Sequence, residues 1–184
     1  MRRFRWIVVL AVALLVAAIV AALLLVRPGL EDGRDRADHR WTPLRPPLIA
    51  RYEALDGVAA ALADAGAADR AVTLDLRGAL DRWHRYALRG PRHTDPAAEV
   101  TIANGLEELA RRIRANMIAS EKLRTNEPLT TALAAFDQAI VPARALRAYN
   151  RAVRAYEDDR SGFFEHLVAG ALGYDARPVL VTGT

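Results

Sequence analysis

The hydrophobic pattern is sharpest at the start of the chain. Trp6 to Val26 reads WIVVLAVALLVAAIVAALLLV, 21 residues without a charge, a proline or a glycine. A helix of that length spans roughly 30 Å, the thickness of a hydrocarbon core. It also pairs all its own backbone polar groups, which lipid requires. Trp6 suits one interface, and Arg5 and Arg27 flank the run. Pro28-Gly29 is expected to end the helix. Residues 1–5 form a basic arm and residues 6–26 a transmembrane signal anchor. Cleaved signal peptides have a shorter apolar core, about 7–15 residues, and a small-residue cleavage site. Val26-Arg27-Pro28-Gly29 is a poor one.

Residues 27–47 change character. Glu31 to Arg40 mixes both charges densely, and Pro43, Pro46 and Pro47 follow. The composition predicts an extended or disordered linker that buries little apolar area.

From Leu48 the spacing becomes helical. Leu48, Tyr52, Leu55, Val58 and Leu62 recur at steps of three and four, with an end near Gly66. A second segment, from about Asp69 to Leu88, carries Val72, Leu76, Leu80, Trp83 and Ala87 and ends before Gly90-Pro91. Asp95-Pro96 reads as an N-cap and a first helical proline. The third helix carries Ile102, Leu106, Leu109, Ile113 and Met117. Asn126-Glu127-Pro128 starts a fourth stripe, Leu129, Leu133, Phe136, Ile140, Ala143, Leu146, Tyr149, Val153 and Tyr156. That stripe stays in phase through Pro142, which predicts one long helix with a kink there. No segment alternates apolar and polar residues for long. The fold class is therefore all-α: a transmembrane helix, then an elongated antiparallel bundle of about four helices over residues 48–178, the second and fourth long enough for a coiled-coil-like rod.

The end of the chain is strongly apolar: Phe163, Phe164, Leu167, Val168, Leu172 and Tyr174. Gly170 and Gly173 are expected to break it into short turns, and a short tail, 179–184, follows Pro178. The preferred role is a cap over the end of the bundle; the alternative is a partner-binding or membrane-touching segment.

Composition narrows the function classes. Net charge is +4, but Arg2, Arg3 and Arg5 contribute most of it, leaving 23 basic against 22 acidic residues from Arg27 on. No single-sign surface is implied, so no nucleic-acid footprint is read. With no cysteine there is no disulfide framework, thiol nucleophile or cysteine metal site. His39, His84, His93 and His166 show no paired metal-ligand spacing. Asp81, His84 and Glu108 make a nominal acid–base triple of a kind that 26% charged residues guarantee. No Gly-rich phosphate loop, GxSxG or dinucleotide fingerprint is present. Arg111, Arg112 and Arg114 read as a solvated face around a buried Ile113, with anionic lipid as the alternative.

Three blocks carry a resemblance: LRTNEPLTTALAAF (Leu123–Phe136), RAYNRAVRAY (Arg147–Tyr156) and LVAGALGYDARP (Leu167–Pro178). In this order, behind one N-terminal anchor, they resemble the LemA family of bacterial membrane-anchored helical proteins. The likeness covers roughly residues 120–178 and marks the chain as similar to a divergent member. The family-motif positions are Asn126, Glu127, Tyr149, Asn150, Val153, Tyr156, Gly170 and Gly173. The resemblance implies a long antiparallel bundle behind a membrane anchor and no catalytic residues. Tyr149 and Asn150 are expected to satisfy buried polar groups and fix register.

The combined expectation is a non-catalytic interaction or scaffold protein, without cofactor or metal, in envelope maintenance or stress handling. It would touch membrane lipid through residues 6–26 and bind a protein partner. The alternatives are an enzyme accessory and a lipid- or envelope-sensing module. The expected location is a bacterial inner (plasma) membrane, single-pass. The arginines on either side of the run nearly balance, with the extracytoplasmic side slightly favoured for the domain.

Overall fold

The computed structural model describes the backbone of residues 2–87 and 95–183. The side chains of residues 2–5, 7–12, 15, 18–19 and 22–23 lie outside the described set. The described residues are mostly helical and contain no strand. Helix α1 is Arg2–Trp41 and α2 is Arg45–Leu62, joined by a 3-10 turn over Thr42–Leu44. Trp41, Leu44 and Arg45 all keep right-handed helical angles, so the two helices form one spine. At 1.5 Å per residue it is about 90 Å long. A π-turn over Ala63–Ala67, with Gly66 at φ 77°, ends it. Then come α3 (Ala71–Ala87), α4 (Pro96–Ala119), the single turn α5 (Glu121–Arg124), α6 (Glu127–Gln138), α7 (Ala143–Arg160) and α8 (Phe163–Leu172).

The spine, α3, α4 and the α6–α7 pair make an up-down-up-down bundle. Trp41 and Arg45 meet Glu99 while Arg51 meets Glu107, so α4 runs parallel to the spine. The Trp41 ring packs tilted against that of Tyr149 and Gly33 faces Tyr156, so α7 runs against it. The α6 helix packs on α2, and α7 on α1. The expected stripes on the first three segments supply much of the core: Leu48, Tyr52, Leu55, Val58, Leu62, Leu76, Leu80, Trp83, Leu106, Leu109 and Ile113 are buried. The ring of Tyr52 meets that of Trp83 edge-on at 4.8 Å.

Three expectations need correction. Residues 27–41 are not an extended linker but the second half of α1, and Pro28 lies inside the helix. Leu30, Gly33, Ala37, Trp41 and Leu44 are buried at steps of three and four, and the seam continues through Leu48, Arg51, Leu55, Val58 and Leu62. A proline removes one bond from a helix, and tertiary packing along that seam offsets the loss.

The stripe from Leu129 to Tyr156 does not lie on one kinked helix. Residues 139–142 break it into α6 and α7, and Ile140 swings out to 74% exposure while Val141 turns inward. Gly170 does not interrupt α8, which runs on to a left-handed cap at Gly173, φ 72°. Residues 88–94, with Gly90-Pro91 and His93, lie outside the described residues.

Among the described residues no helix is long and apolar enough to cross a membrane. The run Trp6–Val26 lies within α1, and more than half of its side chains fall outside the described set.

Gly33 shows how tightly α1 and α7 approach. A Cβ there would sit 3.1 Å from Cδ2 of the Tyr156 ring. Glycine inside a helix costs roughly 0.5–1 kcal/mol relative to alanine, so its position here is explained by the close approach. Replacing Gly33 with leucine should destabilise the fold by roughly 1–3 kcal/mol through overpacking, despite leucine's better helix propensity. Denaturant unfolding checks this; an unchanged or raised midpoint would contradict the packing described.

Candidate functional site

Residues 174–183 are extended and lie along the groove between α4 and α7. They form a strap that returns from α8 towards the middle of the spine. What holds the strap is side chains gripping its main chain. The Tyr156 hydroxyl donates to the Asp175 carbonyl at 3.1 Å, and Glu157 accepts from the Arg177 N–H at 2.7 Å. The Tyr149 hydroxyl donates to the Pro178 carbonyl at 2.9 Å. Asn150 accepts from the Leu180 N–H and donates to the Leu180 carbonyl, both at 2.9 Å. Asn104 donates to the Val179 carbonyl and accepts from the Val181 N–H, both at 2.8 Å. Glu107 accepts from the Gly183 N–H at 3.0 Å.

An asparagine amide presents one donor face and one acceptor face, so it pairs with an extended backbone as a neighbouring strand would. Leu180 and Arg177 are the strap's buried anchors. The Arg177 guanidinium forms a two-bond pair with Asp38, both at 3.0 Å.

The strap ends on the most buried charged pair. Arg51 Nε donates to Glu107 Oε1 at 2.6 Å, and Nη2 donates to Oε2 at 3.1 Å. Nη1 donates to the carbonyls of Phe136 and Ala139 at 2.9 and 3.0 Å, and Nη2 also reaches the Gly183 carbonyl at 3.4 Å. A guanidinium has five N–H donors, and all five are used. The Phe136 ring lies beneath it, 3.8 Å from centroid to Cζ.

This explains the break at Pro142. The last carbonyls of a helix have no intrahelical partner, and a cation at that end is favoured. Arg51 fills both roles for α6. Burial, followed by the charge of neighbouring Glu107, pushes the Tyr52 hydroxyl well above its usual range, which keeps it a neutral donor to the Ala103 carbonyl.

A second buried carboxylate lies nearer the α1–α2 junction. Glu99 Oε2 accepts from the Trp41 indole at 2.6 Å and from Arg45 Nε at 2.9 Å. Arg45 also donates to the Ala87 carbonyl, which ties α3 to the same point. Glu99 Oε1 is buried without a partner among the described residues.

The family-motif positions divide among these roles. Asn126 caps α6, its side chain accepting from the Leu129 N–H at 2.9 Å, and Glu127 is exposed at N1. Tyr149, Asn150 and Tyr156 grip the strap, Val153 is buried beneath it, and Gly173 turns the chain from α8 into it.

The nominal triple of Asp81, His84 and Glu108 does not assemble. His84 pairs with Asp56 at 3.2 Å, and Glu108 with Arg111. Arg112 pairs with Asp75, and Arg114 with Asp137, around a buried Ile113. No group of three or more His, Asp or Glu among the described residues is arranged to hold a metal.

Sequence reading missed Arg51, Glu99, Glu107 and Asn104. A signal was present: Arg51 falls on the seam between Leu48 and Leu55, and Glu107 on the stripe of Val100, Ala103 and Ala110. Charged residues at seam positions mark buried pairs.

Glu99 generates a pH prediction. Burial raises its carboxyl above the ordinary 4.5, against the pull of Trp41 and Arg45. A carboxyl raised in the folded state stabilises fully below its unfolded value, and that contribution is lost as pH rises through the folded one. The stability of the natural chain relative to Glu99→Gln should therefore fall as pH rises from the ordinary glutamate value of 4.5 towards neutrality. Urea unfolding of both across that range checks it; a constant or widening advantage for the natural chain would contradict it.

No family model, curated protein or solved structure matches the chain.

Proposed function

We propose that this is a membrane-anchored, non-catalytic interaction protein of LemA-like type. Residues 6–26 form the anchor, and the bundle acts as a rigid scaffold that docks a protein partner. The observation that carries the reading is how the buried polar groups are used. Arg51, Glu107, Asn104, Asn150, Tyr149 and Tyr156 spend their hydrogen bonds on helix ends and on the strap. Such an interior fixes one shape and leaves recognition to the outer faces.

The anchor reading is supported by the 21 uncharged residues of Trp6–Val26 and by the helical backbone through them. Because α1 continues into α2, the tether is a stiff stalk that also forms one side of the domain. The LemA likeness gains support from the positions that carry it. Asn126, Tyr149, Asn150, Tyr156 and Gly173 each have a specific structural task. Placement in a bacterial plasma membrane, with the domain on the extracytoplasmic side, belongs to the same proposal.

Carbonate extraction of membranes, followed by crosslinking and purification of the full chain in mild detergent, tests it. The expected result is retention of the chain in the membrane and one crosslinked partner at constant stoichiometry across expression levels. Release of the chain by carbonate would overturn the anchor. Recovery of this chain alone at every level would overturn the scaffold.

A further inference from the structure

We infer that α8 is a second membrane contact, an interfacial helix that lies on the bilayer beside the anchor with Phe163, Phe164 and Leu167 in the acyl boundary. The inference rests on the anchor reading of residues 6–26 and deepens it.

The first observation is placement. The α7 helix descends the spine, with Tyr149 against Trp41 and Tyr156 against Gly33. At that pace its end at Arg160 comes level with the stretch just after Val26. Helix α8 follows, and the strap then climbs back, Asp175 beside Tyr156, Arg177 beside Asp38 and Gly183 beside Arg51. So α8 is the turning point of the chain at the end of the domain where the apolar run of α1 stops. Its inner face, Val168 and Ala169, forms a small separate core with Leu30, Tyr156 and Tyr174, and Val26 packs against that core. The last residue of the apolar run and α8 therefore border the same small core.

The second observation is what α8 turns outward. Phe163, Phe164 and Leu167 are 75%, 61% and 56% exposed, and Gly170 and Ala171 continue the same face one turn on. His166, at its margin, is the nearest polar residue on the outside. A helix facing water carries charged and polar residues on its outer side, whereas α8 has its one carboxylate, Glu165, half-buried and turns Phe163, Phe164 and Leu167 out, a face that is covered by something. Continuity with Val26 names the cover: the same lipid that surrounds Trp6–Val26. Helices of this kind settle about 5–10 Å into the headgroup and acyl boundary.

The structural consequence is a two-point attachment. With anchor and α8 both in the bilayer, the bundle has a fixed tilt and rotation, and the strap that starts at Gly173 is pinned to the membrane at its base.

The chain has no cysteine, so single cysteines report position directly. Phe164→Cys and Leu167→Cys of the full chain are labelled with an environment-sensitive fluorophore. Each is reconstituted in vesicles of phosphatidylcholine and phosphatidylglycerol containing lipids with acyl-chain nitroxides. Both should lose roughly half their emission to the nitroxides, as expected for groups at that depth. Asp158→Cys, exposed at the end of α7 at a similar height, and Ile118→Cys, exposed at the far end of α4, should keep theirs.

Quenching at Leu14→Cys with none at positions 164 and 167 would overturn the α8 inference while the anchor stands. No quenching at Leu14→Cys would overturn both. Equal quenching at Asp158→Cys would reduce the α8 signal to mere nearness and overturn the inference. So would emission changes that follow protein-to-lipid ratio rather than nitroxide, which point to a second copy as the cover.

Discussion

The pair of Arg51 and Glu107 is the point through which the rest of the domain is connected. It joins α2 to α4, closes the end of α6 and receives the end of the strap. Removing one partner of such a pair leaves an uncompensated buried charge, which costs roughly 3–5 kcal/mol. The pair is tolerated in the interior because each of the five guanidinium donors has an acceptor. Glu107 in turn accepts two bonds from Arg51 and one from the Gly183 N–H. The break at residues 139–142, a disruption of the helix taken alone, supplies the two carbonyls that Arg51 needs. The break in α6–α7 and the buried arginine explain each other.

The spine has a second consequence. Continuity from α1 through α2 means that the segment following Val26 is not separable from the domain. Trp41 packs against Tyr149 and donates to Glu99, so α1 supplies core side chains to the bundle. A flexible linker would leave α1 free of the domain, whereas the continuous helix fixes its direction relative to the bundle. Under the proposed attachment, an anchor at residues 6–26 would set the position of the domain, and the outward apolar face of α8, on the same small core as Val26, would set its orientation.

Much of the fold was legible in the sequence where apolar spacing was uninterrupted. The stripes of α2, α3 and α4 and the caps at Asp95 and Asn126 follow from local rules. The failures share a physical cause, tertiary contact overriding composition. Glu31 to Arg40 reads as linker because of its charge, yet Leu30, Gly33, Ala37 and Trp41 trace a seam through it. The Pro142 stripe looked continuous because α6 and α7 lie along the same spine, and only Arg51, far away in sequence, shows why they part. The strap was invisible to periodicity because an extended segment held by asparagines and tyrosines has no apolar repeat.

Native-state hydrogen exchange of Arg51→Lys tests the central connection most directly. Lysine keeps the charge but has three donors in place of five and cannot form the two-bond pair with Glu107 while capping α6. If Arg51 joins these segments, the amides of Leu180, Val181 and Gly183 and those of the last turn of α6 should lose protection together, while the middle of α7 changes less. Unchanged strap protection, or loss confined to α2 and α4, would contradict the account.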